Sequence, residues 1–99
     1  MIRGSTPTHT FNIPIDGSII DKLEIVYHQG ENMVTKTEED CEIYKEIVKV
    51  KLSQDDTLSF QNTSRSVRVQ MRIKTTSGDV LISDISTLSV EECLFQGVI

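Results

Sequence analysis

Apolar and polar residues alternate more regularly over residues 66–75 than anywhere else in the chain. The apolar positions are Val67, Val69, Met71 and Ile73, and the positions between them are Arg68, Gln70, Arg72 and Lys74. A period of two predicts a β-strand that turns one face to the core and the other to water. Small and polar residues at 76–79 precede a new apolar run, which predicts a hairpin around this strand.

Shorter segments with the same alternation precede this hairpin. We predict strands at 9–15, 22–29, 33–37, 41–43 and 47–52. The side chains expected to face the core from the second and fifth of these segments are Leu23, Ile25, Tyr27, Val48, Val50 and Leu52. Turns between the segments contain Gly, Asp, Asn or acidic residues, as turns in antiparallel proteins usually do.

The last apolar segment, residues 80–90, has a mixed phase. Ile85 is out of step with the other apolar residues, which predicts a β-bulge near Asp84 in one long strand. The residues that stay in phase with one another, and so are expected on one face, are Val80, Ile82, Leu88 and Val90.

One short helix is predicted at residues 53–58. Ser53 is a favourable N-cap, and the acidic residues that follow it lie in the first turn, where they favour the helix dipole. We expect Leu58 and Phe60 to bring the chain back into the core. A single helical turn is also predicted near Ser18, capped by Asp16 or by Ser18 itself.

The two ends of the chain have less pattern. Residues 1–7 are predicted to form a flexible leader, and residues 91–99 a C-terminal tail in which Leu94 and Phe95 dock on the domain. About seven short strands with one short helix predict an all-β fold, an antiparallel β-sandwich, with a small open barrel as the alternative.

Length and charge narrow the classes of function. With 99 residues the chain forms a single domain over 1–99. A net charge of −5 argues against a general binder of nucleic acid or anionic membranes, since both require a basic surface. No secretory signal precedes the first strand and no apolar run is long enough for a membrane helix, so Cys41 and Cys93 are expected to be reduced thiols in a soluble protein.

The sequence contains no pattern typical of an active site. His9 and His28 both fall in predicted strands and are expected at the surface or rim of the domain. Metal-ligand spacings of Cys and His are absent, and the five glycines are scattered singly, so no phosphate-binding loop is present. We therefore expect no catalytic residues, no cofactor and no metal ligands, and a protein that is not an enzyme.

A basic stripe is the one surface feature that suggests a function. Its residues are Arg65, Arg68, Arg72 and Lys74, on the predicted outer face of the central strand. One interpretation is a solvated face that discourages pairing of strand edges. The other is a docking strip for an acidic protein partner. Gln70 lies within the stripe, which predicts a flat polar strip rather than a pocket.

The order of features resembles a known group of proteins. The features are a Thr-His-Thr-Phe first strand at 8–11, an Asp-Gly-Ser-Ile turn at 16–19, a strand at 22–27, the capped segment 52–60 and the run 78–85. In this order the chain resembles small uncharacterised prophage proteins of Firmicutes. It is more distantly similar to the immunoglobulin-like N-terminal domain of phage baseplate upper proteins. The resemblance covers residues 8–94 and contains no catalytic motif.

This resemblance implies an immunoglobulin-like β-sandwich and a non-catalytic structural or interaction role in a phage or prophage particle, associated with its tail or baseplate. The implied partners are other proteins, either tail components or further copies of the chain, and neither nucleic acid nor membrane. The implied location is the host bacterial cytoplasm, with assembly into the virion. The alternative is a small ligand-binding module, for example for cell-wall carbohydrate, with Tyr27, Tyr44 and Phe95 as the aromatic residues available for stacking.

Overall fold

A computed structural model describes residues 1–61, 63 and 65–99 of the chain. In this part the chain has eight β-strands, namely β1 (Thr8–Asn12), β2 (Ile20–Gln29), β3 (Asn32–Thr37), β4 (Cys41–Tyr44), β5 (Ile47–Lys51), β6 (Val67–Thr75), β7 (Val80–Ile82) and β8 (Ser86–Leu88). A single α-helix, α1, spans Gln54–Leu58, and two single 3₁₀ turns span Gly17–Ile19 and Glu38–Asp40. None of the helices in the described residues is both long and apolar enough to span a bilayer.

The strands form two antiparallel sheets. Sheet 1 has the order β1-β5-β4, and sheet 2 has the order β3-β2-β6-β7, with β8 also paired to β6. If β1 to β6 are lettered B, C, C′, D, E and F, and β7 and β8 together are lettered G, these orders are B-E-D and C′-C-F-G. This is the arrangement of an immunoglobulin-like sandwich without its first strand. The predicted all-β sandwich is therefore confirmed.

The core lies between the two sheets and consists mainly of the alternating inner residues of β2, β5 and β6. Buried apolar residues are Ile13, Leu23, Ile25, Tyr27, Val48, Val50, Leu52, Phe60, Val67, Val69, Met71, Ile73 and Val90. This set confirms the predicted inward faces of 22–29, 47–52 and 66–75. The outward residues between them are mostly charged, as expected for strands with one solvated face.

Helix α1 begins where the sequence predicts. The Ser53 hydroxyl accepts a hydrogen bond from the Asp56 backbone N–H at 3.0 Å, and the Asp56 carboxylate accepts one from the Ser53 N–H at 2.8 Å. This reciprocal capping box satisfies two amide groups that the first helical turn leaves unpaired. Phe60 is fully buried as expected, but Leu58 is only half-buried, because Thr57 occupies the inner side of the helix.

The N-terminal segment is held in place, and the expectation of a flexible leader over residues 1–7 is wrong. The Arg3 guanidinium donates to the Phe60 and Leu58 carbonyls at 2.8 and 2.9 Å. Carbonyl groups at the end of a helix lack hydrogen-bond donors within the helix, and the Arg3 guanidinium supplies such donors. Ile2 also pairs with Glu91 in a parallel bridge, which fixes the segment against the end of sheet 2.

The C-terminal tail is less closely attached to the domain than predicted. Leu94 and Phe95 are 90% and 84% exposed, so the expectation that they dock on the domain is wrong. Val90 is the last buried residue of the chain. Met1 packs against the core beside it and accepts a hydrogen bond from the Glu91 N–H, so this end of the core is already covered.

The segment 61–65 lies between α1 and β6 in the chain, and two of its residues, Asn62 and Ser64, lie outside the described residues. Its two ends are attached to β2 by the buried side chain of Gln29. The Gln29 amide nitrogen donates to the Gln61 and Arg65 carbonyls, and its oxygen accepts from the Gln61 N–H. This attachment sets the position at which β6 begins.

Candidate functional site

The outward side chains of sheet 2 form the candidate functional site, which we call the outer face of sheet 2. In β6 the exposed residues are Arg68, Gln70, Arg72 and Lys74. Across the β2–β6 pairing they stand opposite His28, Val26, Glu24 and Lys22, in that order. Opposite residues in an antiparallel pair lie side by side, so these side chains form one continuous surface.

A one-residue bulge separates β7 from β8. Arg72 pairs with Ile82 and Val69 pairs with Ser86, so three residues of one strand stand against two of the other. This register change confirms the predicted bulge near Asp84. Because each extra residue reverses the direction of every later side chain, residues before and after the bulge cannot keep a common phase.

The expected phase of the last strand is therefore wrong. Val80 and Ile82 lie on the outer face of sheet 2, where Ile82 is 64% exposed, whereas Leu88 and Val90 turn toward the core. Ile85, within the bulge, is 46% exposed. Apolar residues of the last segment thus stand beside the arginines of β6.

Ile82 and Ile85 line a shallow depression of about 420 Å³. Its wall residues are Glu24, Val26, His28, Arg68, Gln70, Met71, Arg72, Ile82 and Ile85. The expectation of a flat polar strip is therefore wrong, because Ile82 and Ile85 raise one side of it. A bulge at the edge of a sheet commonly redirects a side chain in this way next to a binding site.

Charge is unevenly distributed over this face. Arg72 donates from Nε and Nη2 to the same oxygen of Glu24, at 2.9 and 2.6 Å. Both side chains are well exposed, so the pair contributes little to stability, but it orients Arg72 and offsets its charge. Among the described residues no carboxylate lies within 4.0 Å of the amino or guanidinium nitrogens of Arg68, Lys74 or Lys22.

The four residues of the predicted basic stripe do not all share one face. Arg68, Arg72 and Lys74 lie together on the outer face of sheet 2, but Arg65 precedes β6. A Cβ placed on Gly30 would lie 3.0 Å from the Arg65 guanidinium, which puts Arg65 beside the β2–β3 turn. The stripe therefore has three members in β6, and Lys22 of β2 joins them.

The sequence contained only part of the signal for the residues that join Arg68, Arg72 and Lys74 on this face. The alternation in β2 placed Lys22 and Val26 opposite the core face, but it did not show which strand would lie next to them. The roles of Ile82 and Ile85 depended on the bulge. Nothing in the local pattern distinguishes an outward isoleucine from an inward one.

The remaining ionisable core groups have a packing role. His9 Nδ1 lies 2.7 Å from the Tyr27 hydroxyl, which joins β1 of sheet 1 to β2 of sheet 2. Burial lowers the pKa of His9 and strongly raises the pKa of Tyr27. His28, in contrast, is exposed on the outer face of sheet 2. The expectation that His9 lies at the surface or rim is correct only in part, because its side chain is half-buried and contacts Tyr27.

Cys41 and Cys93 are free thiols, as predicted. Burial and then the neighbouring Asp40 and Glu38 carboxylates raise the pKa of Cys41 to about 11, so it is a weak nucleophile at neutral pH. In the described part of the chain no three His, Cys, Asp or Glu side chains come together as metal ligands would.

Comparisons with protein-family models, with curated proteins and with solved structures find no match to this chain. The resemblance to prophage proteins therefore stays a prediction based on the order of sequence features.

Proposed function

We propose that this chain is a non-catalytic structural or interaction protein of a phage or prophage particle, associated with its tail or baseplate. In this proposal it docks on an acidic protein partner through the outer face of sheet 2. The observation that supports docking is the set of cations Arg68, Lys74 and Lys22, without carboxylate partners among the described residues, beside exposed isoleucines. The phage context comes from the sequence resemblance alone.

Two physical arguments favour a protein partner. Exposed cations without ion-pair partners among the described residues steer a negatively charged surface toward this face and disfavour basic partners. Ile82 and Ile85 then supply apolar area whose removal from water stabilises the complex. A face with both properties resembles the polar rim and apolar centre of a protein interface.

The depression supports a second candidate function, binding of a carbohydrate such as a cell-wall glycan. A volume of about 420 Å³ is within the range of small-ligand sites, and Arg68, Gln70 and His28 offer polar groups around it. However, Tyr27 is fully buried and cannot stack on a sugar ring. Tyr44 and Phe95 are exposed, but neither lines the depression. A glycan array on the purified protein tests this candidate, which predicts specific hits, whereas the docking proposal predicts none.

Charge reversal tests the docking proposal in particles. We expect Arg68→Glu with Lys74→Glu to lower recovery of the protein in purified induced particles by at least about tenfold, because two cations that face an acidic partner become repulsive. The matched control is Lys49→Glu with Lys51→Glu, which reverses two exposed charges on the outer face of sheet 1. Mass spectrometry of particles from the same lysate measures both variants and the unmodified chain.

The melting temperature of each variant serves as the folding control. Exposed charges contribute little to stability, so both double variants should melt close to the unmodified protein. Equal recovery of the two double variants would contradict the assignment of the docking face. Complete absence of the unmodified protein from particles would contradict the virion role itself.

A further inference from the structure

Residues 91–95, which we call the acidic–apolar segment, are exposed except for the half-buried Cys93, although two of the exposed residues are large and apolar. Glu91 and Glu92 come first, then Cys93, and then Leu94 and Phe95 at 90% and 84% exposure. Two adjacent apolar side chains that lie almost completely in water make the segment a favourable ligand for any matching apolar surface.

The outer face of sheet 2 has the complementary properties. It has four cations, Lys22, Arg68, Arg72 and Lys74, and the single carboxylate of Glu24. Beside them, Ile82 and Ile85 line the depression of about 420 Å³. The segment thus presents carboxylates next to apolar side chains, and the face presents cations next to an apolar depression.

Within one chain the segment takes a different course. Glu91 bridges to Ile2, and its carboxylate lies 3.3 Å from the Met1 amino group. Further along, the Ile99 N–H donates to the Gln54 side chain of α1 at 3.2 Å. The tail therefore leads toward the helix and leaves the outer face of sheet 2 uncovered, while Glu92 makes no ion pair with any described residue.

We propose that the acidic–apolar segment of one copy binds the outer face of sheet 2 of a second copy. In this arrangement Leu94 or Phe95 occupies the depression beside Ile82 and Ile85, and Glu92 pairs with Arg68. The inference rests on the proposed docking face and names its partner as another copy of this chain. Two basic faces would repel each other, so contact between identical faces is disfavoured.

An interface between two different surfaces has a consequence for assembly. Because segment and face are separate patches, each copy can use both at once, and the contact either closes into a ring or continues as an open chain. If instead two copies exchange their segments reciprocally, a closed dimer results. Both arrangements make the oligomeric state depend on protein concentration.

Sedimentation velocity of the full purified chain over a range of concentrations tests the inference. We expect self-association that Leu94→Ser with Phe95→Ser weakens by at least about tenfold, because the apolar contact is lost. Both residues are almost fully exposed, so the monomer fold should be unaffected, and circular dichroism checks this. Lys49→Glu with Lys51→Glu is the matched control and should associate like the unmodified chain.

A charge exchange tests which groups meet. Arg68→Glu alone and Glu92→Arg alone should each weaken self-association, and a mixture of the two variants should recover it, because the exchanged pair is again attractive. A photo-crosslinking phenylalanine analogue at position 95 should crosslink to residues 80–87 of another copy. Mass spectrometry of the crosslinked peptides, with one copy isotopically labelled, identifies contacts between copies.

Three results would overturn the inference. They are a chain that stays monomeric at every concentration, association insensitive to the tail variant, and crosslinks confined to one copy. The proposed docking face has a separate readout. If Arg68→Glu with Lys74→Glu still lowers recovery in particles while the chain is monomeric, the face binds a different partner and only the self-association is refuted.

Discussion

Strands β5 and β6 have the same pattern but different surroundings. Each is the central strand of its sheet, with apolar residues inward and basic residues outward. On the outer face of sheet 1, Lys49 stands between Thr10 and Glu42. Those neighbours are polar, and one of them is an acidic residue.

In sheet 2 the neighbours of the outward residues are of another kind. Arg72 stands between Glu24 and Ile82, and Lys74 stands between Lys22 and Val80. The same alternation therefore produces a solvated face in one sheet and a basic face with apolar neighbours in the other. The comparison shows that cross-strand neighbours, and not the strand's own sequence, decide whether a basic face is a candidate for binding.

A charge placed on the inner face of either strand should destabilise the domain, and this is the largest expected effect. Met71→Asp in β6 and Val50→Asp in β5 each place an unpaired carboxylate in the core. This costs several kcal/mol, against a total stability of roughly 5–15 kcal/mol for a domain. Both variants should lack a cooperative thermal transition by circular dichroism.

The control for these substitutions is Lys49→Asp, next to Val50 on the exposed side, which should melt close to the unmodified protein. A sharp transition of Met71→Asp at the wild-type temperature would show that the inward and outward faces of β6 are exchanged.

A moderate effect of pH on stability is expected from the hydrogen bond between His9 and Tyr27, which joins the two sheets. Burial, and then the positive N-terminus, lower the pKa of His9 below its unfolded value of 6.5. The unfolded chain therefore binds the proton more readily, and stability present above pH 6.5 is lost as the pH falls toward the folded pKa. Thermal melts between pH 7 and pH 5 measure this loss.

His9→Gln should flatten that pH dependence, because the glutamine does not titrate. His28→Gln should keep it, since His9 is then still present. An identical loss of stability in His9→Gln and in the unmodified chain would assign the effect to other groups.

The smallest expected effect distinguishes the two cysteines. With a pKa of about 11, the Cys41 thiol has very little thiolate at neutral pH, so its alkylation in the native protein should be slow. Its rate should rise about tenfold per pH unit below that pKa, because the thiolate fraction does. Intact-mass analysis of Cys41→Ser and Cys93→Ser variants assigns each adduct to its residue.

In denaturant without reductant, the unmodified protein should gain two alkyl adducts, since both cysteines are free. No adducts under those conditions would show a disulfide between Cys41 and Cys93 and would contradict the free thiols.

The sequence by itself determined the features that depend on neighbouring residues in the chain. Alternation located the strands and the inward faces of β2, β5 and β6, and Ser53 located the start of α1. The irregular phase at Ile85 located the bulge. These features were predictable because backbone period and capping involve residues only a few positions apart.

The tertiary structure alone decided how those elements meet. Arg72 and Glu24 pair across 48 residues of sequence, and no local pattern indicates that contact. One extra residue in the bulge placed Ile82 and Leu88 on opposite faces of sheet 2, because side chains in a strand alternate and a shift of one reverses all later ones. The exposed Leu94 and Phe95 likewise depend on what covers the end of the core. The local sequence therefore determined the strands, whereas the register between distant strands determined the candidate binding face.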